Sequence, residues 1–404
     1  MNKAIFQLLL KKKAYLYLSL AFFLSNIGTA FTAIAVYGEF AKLQVPAFFY
    51  SFAFILGLAP GLVTSHFSVR LGRRFGLAKV LVATQVAGGL LVILPLIGAL
   101  EHNLWLLVLA EAIGSMIGGT LAPLYQEFLR KNFQDDELGY VSVYDSYVYT
   151  AQFILGQALG TLIYGSGIGT VNYILFDIGT YVLAAVIVLF AVMQNPTDFR
   201  NEIKTSAAKL SWEKLTTRQK RAFWLMPLLS LACAPAMAVL PAEGAKIGSP
   251  VEFLLFSISP ALLFLFAKAL GQLLAPQLLA KQDFEKLARS NGLLLGCVAL
   301  YLLCYAGVYS LGSFGLAMPL IILAHIASNI VFVLASYSFT KNFSAEQIAM
   351  VSSRNYQASI LSMSVAAFVG GFIANAFGNL STVILGSLML VLWALHLKRT
   401  RESQ

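Results

Sequence analysis

Long apolar runs separated by short polar ones repeat from one end of this chain to the other. About 20 predominantly apolar residues cross a hydrocarbon core roughly 30 Å thick. By that ruler twelve runs qualify: 14–37, 46–67, 77–99, 103–130, 140–165 and 171–193, then 222–242, 252–280, 291–312, 314–340, 349–376 and 379–397. Only helices and closed barrels satisfy their backbone in lipid. These runs are too long and too continuously apolar for barrel strands, so the pattern predicts an all-α integral membrane protein of twelve transmembrane helices. Lys11, Lys12 and Lys13 stand before the first run as they would in a secretory leader. The run continues past Tyr37 without a small-residue cleavage site, so it is read as an uncleaved first helix.

Composition points the same way. Hydrophobic residues make up 59% of the 404 and charged residues only 11%, with a mean hydropathy of +0.78. A soluble domain carries roughly 25% charged residues, so too little polar surface exists here to face water. Cys233, Cys297 and Cys304 lie in apolar runs without CxxC or His spacing, so neither a metal site nor a disulfide framework is predicted.

Charge then sets orientation. With both termini on one side, 25 of the 28 Lys and Arg fall on that side; Lys42 and Lys246 lie opposite, and Lys268 falls inside a run. The positive-inside rule places both termini in the cytoplasm of a cell that carries this multi-pass protein in its inner or plasma membrane. The net charge of +10 is then accounted for by topology and lipid headgroups, without nucleic acid.

The polar stretch 194–221 follows the sixth run and divides the chain into 1–193, a cytoplasmic linker, and 222–404. One constant offset of 210 relates the two parts. It places Lys131-Asn132-Phe133 on Lys341-Asn342-Phe343, Gly61 on Gly271, Gly160 on Gly370, and Leu77-Ala78-Lys79 on Leu287-Ala288-Arg289. Agreement at one offset in corresponding places predicts two six-helix pseudo-repeats, a plan found among secondary transporters.

Between the second and third runs, Ser65 to Arg74 reads SHFSVRLGRR. This resembles the loop signature G-x-L-A-D-R-x-G-R-[RK] of the major facilitator superfamily, with Arg70, Gly72, Arg73 and Arg74 on matching positions. Ser65 replaces the first Gly and Val69 the Asp, so the lock that this Asp makes in the family must be weaker here or built otherwise. In the fifth run Gly156, Gly160 and Gly165 resemble the family's antiporter motif, with Thr161 and Tyr164 departing from it. Small residues four apart also let helix backbones approach closely. Asp177 with its neighbours, and Ala122-Pro123, are similar to the drug and siderophore exporter branch that includes macrolide and enterobactin efflux proteins. Where many proton-driven drug exporters carry an Arg in the fourth helix, this chain has Glu111.

Ionisable groups inside lipid are expensive and usually face a cavity or a partner. Glu111, Lys268, Asp177 and His325 are the ones the runs enclose. The resemblance implies that helices one, four, seven and ten line the central cavity, which makes Glu111 and His325 cavity residues. Glu111, His325 and Asp145 are the proton-coupling candidates. Asn26, Thr29, Tyr125, Gln126, Asn329, Ser336 and Lys268 are the substrate-cavity candidates, with Asn329 one turn from His325. Arg70, Gly72, Arg73 and Arg74 form the expected cytoplasmic gate loop, and Gly156, Gly160 and Gly165 the packing face. Asp177 is read as a structural hydrogen-bond acceptor.

No Gly-rich phosphate loop is present, so an ion gradient rather than ATP is the expected drive. The expected function is proton-coupled export of an amphipathic organic solute, drug- or siderophore-like, by alternating access. The alternative is import of a siderophore, nutrient or other metabolite with the same architecture. No cofactor, metal or nucleic acid is expected, and the chain is read as a monomer among membrane lipids. An enzyme would need a clustered catalytic set, and none of the four His has such spacing.

Overall fold

The computed structural model describes residues 3–43, 53, 55–165, 168–199, 212–247, 251–253, 256–258, 260–279 and 282–399. Within them the apolar runs are helices. In the first part α1 is Lys13–Lys42, α2 Ala59–Phe75, α3 Leu77–Leu100 with a break at Val92, α4 Leu104–Asn132, and α6 Thr170–Gln194. Between the last two lies α5, α-helical over Leu138–Phe153, a π-helix over Ile154–Leu159, and α-helical again over Gly160–Gly165. The second part holds α7 (Thr217–Ala238), α8 (Pro260–Leu279), α9 (Asn291–Leu311), α10 (Phe314–Asn342), α11 (Ala345–Phe377) and α12 (Leu380–Arg399). Among the described residues nine of these are long and apolar enough to cross a bilayer; α2, α5 and α8 complete the twelve.

Two boundaries differ from the sequence pattern. The segment 65–74 is not a loop but the last turns of α2, which ends only at Gly76, where a φ of 93° suits a residue without Cβ. The eighth helix starts at Pro260 rather than at 252. Before it lies a short antiparallel hairpin, Val251–Phe253 with Phe256–Ile258, in the register Val251 to Ile258. Proline suits a first turn because its missing N–H has no intrahelical acceptor there.

Each half is a six-helix bundle. In the first, α6 packs on α1 and α3, and α2 on α4; in the second, α7 packs on α11 and α12, and α10 on α8 and α9. The halves meet where α11 lies on α4 and α2, and where α8 and α10 lie on α5. On α6 the stripe Ile174, Asp177, Tyr181, Ala184 and Val188 is buried, while Phe176, Val182, Val186 and Phe190 are exposed. An apolar exposed face of this kind is what lipid requires.

The offset of 210 reappears as geometry. A Cβ on Gly61 would strike Ser115 of α4, and one on Gly271 would strike His325 of α10; both pairs obey the same shift. Asn132 and Asn342 each donate to the carbonyl four residues back, Phe128 at 2.9 Å and Ser338 at 2.7 Å. Each is followed by an extended Phe, Phe133 or Phe343, that ends its helix.

Candidate functional site

The first half presents an open wall between α1 and α4. Thr29 of α1 touches Gly114 of α4, where an added Cβ would stand 2.8 Å from its methyl. One side of this contact is closed by α6, because Thr29 shares a hydrogen bond of 3.0 Å with Tyr181. One turn away on each helix, Asn26 and Gly118 are both exposed, and nothing lies within 4 Å of where a side chain on Gly118 would begin. Glu111 is two turns from Gly118 on the same face of α4. Its Oε1 is enclosed and has no hydrogen-bond partner among the described residues. The Tyr37 hydroxyl is its electrostatic neighbour. An enclosed carboxylate oxygen without a donor is costly, and it is supplied most directly by a proton or by a donor on a bound solute.

The other candidates divide among three places. Thr29 is spent on Tyr181. Asp145 sits deeper in the first half, where its Oδ1 accepts from Tyr15 at 2.7 Å and Tyr125 at 2.5 Å. Tyr15 also meets Tyr144 and Phe133 edge-on, and Phe22 meets Tyr125, so this carboxylate is walled by rings. His325 is buried inside the second half, with Nε2 hydrogen-bonded to Tyr305 at 2.8 Å, the Tyr301 ring edge-on, and Lys268 as electrostatic neighbour. Its Nδ1 has no partner among the described residues. Asp177 accepts from Thr32 at 2.9 Å and so fastens α6 to α1.

Asn329, Gln126 and Ser336 belong to the seam between the halves. Asn329 Nδ2 donates to Ser146 of α5 at 2.8 Å and to the Gln272 carbonyl at 2.7 Å. Thr340 donates to Gln126 Oε1 at 3.0 Å and to the Ser336 carbonyl at 3.0 Å. Arg130 Nε donates to the Phe343 carbonyl at 2.8 Å. Farther along, α11 reaches across with Ser352 to the Pro123 carbonyl at 3.4 Å, Ser353 to the Ser65 carbonyl, and Gln357 to the Leu62 carbonyl at 3.0 Å. Most of these contacts join the halves toward the face that carries both termini; the Ser146–Asn329 pair lies deeper.

With Val69 where the resembled signature has an Asp, the halves are joined beside it by hydroxyl and amide groups of α11 on backbone carbonyls of α2 and α4. Val69 and Ser65 themselves are buried. Gly72 lies where a Cβ would stand 2.7 Å from Leu124. Arg70 is exposed, Arg74 lies over the Phe75 ring at 5.2 Å, and Arg73 is an electrostatic neighbour of Glu127 in its own half. Gly156 meets Ala30 and Gly160 meets Phe31, so these glycines of α5 face α1; Gly165 ends the helix. Nothing in the sequence pattern marks Ser353, Gln357 or the Gly139–Phe284 contact, and Ser352 enters it only as the repeat partner of Ser142. The one indirect signal was the missing Asp at Val69.

Residues 17–280 match the family model described as Major Facilitator Superfamily. No curated protein matches the sequence. Among solved structures, a variant of the E. coli fucose:proton symporter FucP aligns with a TM-score of 0.68 at 14% identity, over 97% of this chain and 99% of that one. A bacterial homologue of the iron transporter ferroportin, in an outward-facing state, aligns with a TM-score of 0.74 at 10% identity, over 96% and 99%. At such identities the likeness is one of fold.

Proposed function

This chain belongs to the major facilitator superfamily and is a transporter rather than an enzyme; from that premise we propose that it is a proton-coupled exporter working by alternating access. The observation that carries the proposal is the Glu111 carboxylate, enclosed on the open wall with one oxygen unpartnered. Alternating access exposes this group to one side and then the other, and a ligand shifts such an equilibrium only by binding its two states unequally. A proton on Glu111 is such a ligand. Proton coupling is also what the fucose symporter of the same fold is named for.

The solute is proposed to be amphipathic, drug- or siderophore-like. Support comes from the exporter-type glycines of α5, the Ala122-Pro123 step, and the rings of Tyr37 and Phe22 on the cavity-lining helix α1. The face with both termini is proposed to be cytoplasmic, in the inner or plasma membrane, on the distribution of Lys and Arg. In this reading the protein works as a monomer, and the latch of α11 on α2 and α4 is the closed inner gate.

Reconstitution in liposomes with an imposed pH gradient tests the proposal. Wild-type protein should drive saturable, gradient-dependent movement of an amphipathic drug or siderophore. Glu111→Gln should keep substrate binding and lose gradient-driven accumulation. Uptake in the direction of proton entry would instead establish an importer. Residual transport by Glu111→Gln that still follows the gradient would move coupling to His325 or Asp145.

A further inference from the structure

Away from the open wall, at the face that carries both termini, the structure holds a cavity of about 810 Å³. It is bounded by the start of α7, the short helix Phe284–Arg289 leading into α9, and the end of α10. Four basic side chains line it: Arg218, Arg221, Arg289 and Lys341. The carboxylates there are Glu285 and Asp135, and both are engaged. Glu285 accepts from Lys341 Nζ at 2.6 Å and from Arg289, while Asp135 accepts from Arg130 at 2.8 Å. The bond from Lys341, above all, holds the Glu285 carboxyl below its ordinary range, so it stays ionised and keeps two of the cations in place. Arg221 donates to the carbonyls of Ala288 and Arg289 at 2.9 and 3.1 Å, which fixes its guanidinium at the rim of the cavity.

Facing these cations, α9 begins. Ser290 caps it by accepting from the Leu293 amide at 3.3 Å. The amides of Asn291 and Gly292, at the first two helical positions, have no intrahelical acceptor. Nothing lies within 4 Å of where a side chain on Gly292 would start, so the space over this helix end is open.

We propose that this cavity binds a phosphate group, carried by an anionic lipid headgroup or by a soluble phosphate ester. Guanidinium forks bind tetrahedral oxyanions in pairs of hydrogen bonds, and a helix N-terminus adds free amides and a favourable dipole. The cavity is larger than a phosphate, which leaves room for the molecule that bears it. It lies at the start of α9 and the end of α10, the ends of two membrane-length helices, which is where a lipid headgroup would be within reach.

The test uses the delipidated full-length protein and two probes. Native mass spectrometry compares phosphatidylglycerol with phosphatidylcholine, and thermal shift is followed with glycerol 3-phosphate. Preferential retention of phosphatidylglycerol alone assigns the site to lipid; a rise in melting temperature with glycerol 3-phosphate assigns it to a soluble ester. In either case R218Q/R221Q should weaken binding by about tenfold or more. R218K/R221K, which keeps the charge but loses the paired hydrogen bonds, should weaken binding less than R218Q/R221Q does, and K79Q/K398Q, exposed on the same face outside the cavity, should leave it unchanged. Where R218Q/R221Q does not give monodisperse protein, Lys341→Gln carries the same expectation. Binding of neither probe overturns the proposal. So does an equal loss in K79Q/K398Q, which would reduce the effect to diffuse surface charge.

Discussion

Gly139, at the start of α5, has the Phe284 ring of the other half against it: a Cβ there would stand 2.6 Å from the ring. A side chain there must displace the ring or push the halves apart, and overpacking of such a contact costs about 1–3 kcal/mol. Gly139→Leu is therefore expected to shift the population toward the state open at the terminal face by about fivefold or more, since about 1.4 kcal/mol is a factor of ten. Spin-label distances between the ends of α4 and α10 check this; unchanged distances would mean that Phe284 simply rotates away. At this scale the sequence was informative about which side chains mattered and silent about where they pointed. Glu111, His325 and Asp145 stand out because charge is rare in apolar runs. That His325 faces Tyr305 rather than the open wall, and that Tyr15 and Tyr125 clasp Asp145, depends on how α10 and α4 are rotated against their neighbours. A run that is apolar all round carries no moment to reveal that rotation.

Helix α11 joins the halves toward the terminal face, with Ser352, Ser353 and Gln357 donating to three carbonyls of α2 and α4. A hydrogen bond of this kind contributes about 1 kcal/mol. S353A/Q357A should therefore favour opening at that face by about tenfold or more, while α11 itself, held on α7, stays folded. Cysteine accessibility at the seam measures the shift; no change would leave the Arg130–Phe343 and Thr340–Gln126 contacts as the effective lock. The elements themselves were largely legible, because lipid enforces a length that a sequence displays directly. Local exceptions were not. The helical run to Phe75 is polar enough to read as a loop, and the hairpin before Pro260 is apolar enough to read as a helix.

For the whole molecule, an even number of crossings puts both termini on one side, and the distribution of Lys and Arg makes that side the cytoplasm in the proposed topology. His102 lies exposed in the turn between α3 and α4, and Lys286 lies exposed in the short helix between α8 and α9. In intact cells a cysteine at His102 should react with an impermeant thiol reagent and one at Lys286 should not; the reverse labelling would invert the orientation. The pseudo-repeat was readable from a handful of residues at one offset. Its structural meaning, the matched Gly61–Ser115 and Gly271–His325 crossings, required knowing which helices touch.

The π-helical turn Ile154–Leu159 in α5 is the form an α-helix takes when it absorbs one extra amino acid without shifting the residues on either side. Such a turn holds one residue more than the α-helical path it replaces, so deleting one residue there should be tolerated. Removing one residue from 154–159 would let the segment anneal into regular helix, whereas removing one from the α-helical part of α5 on its N-terminal side would rotate the following face by about 100°. The first deletion should yield folded protein with an unchanged Gly160 contact to α1; the second should not. Equal damage from both would mean that the wide turn is required by its surroundings.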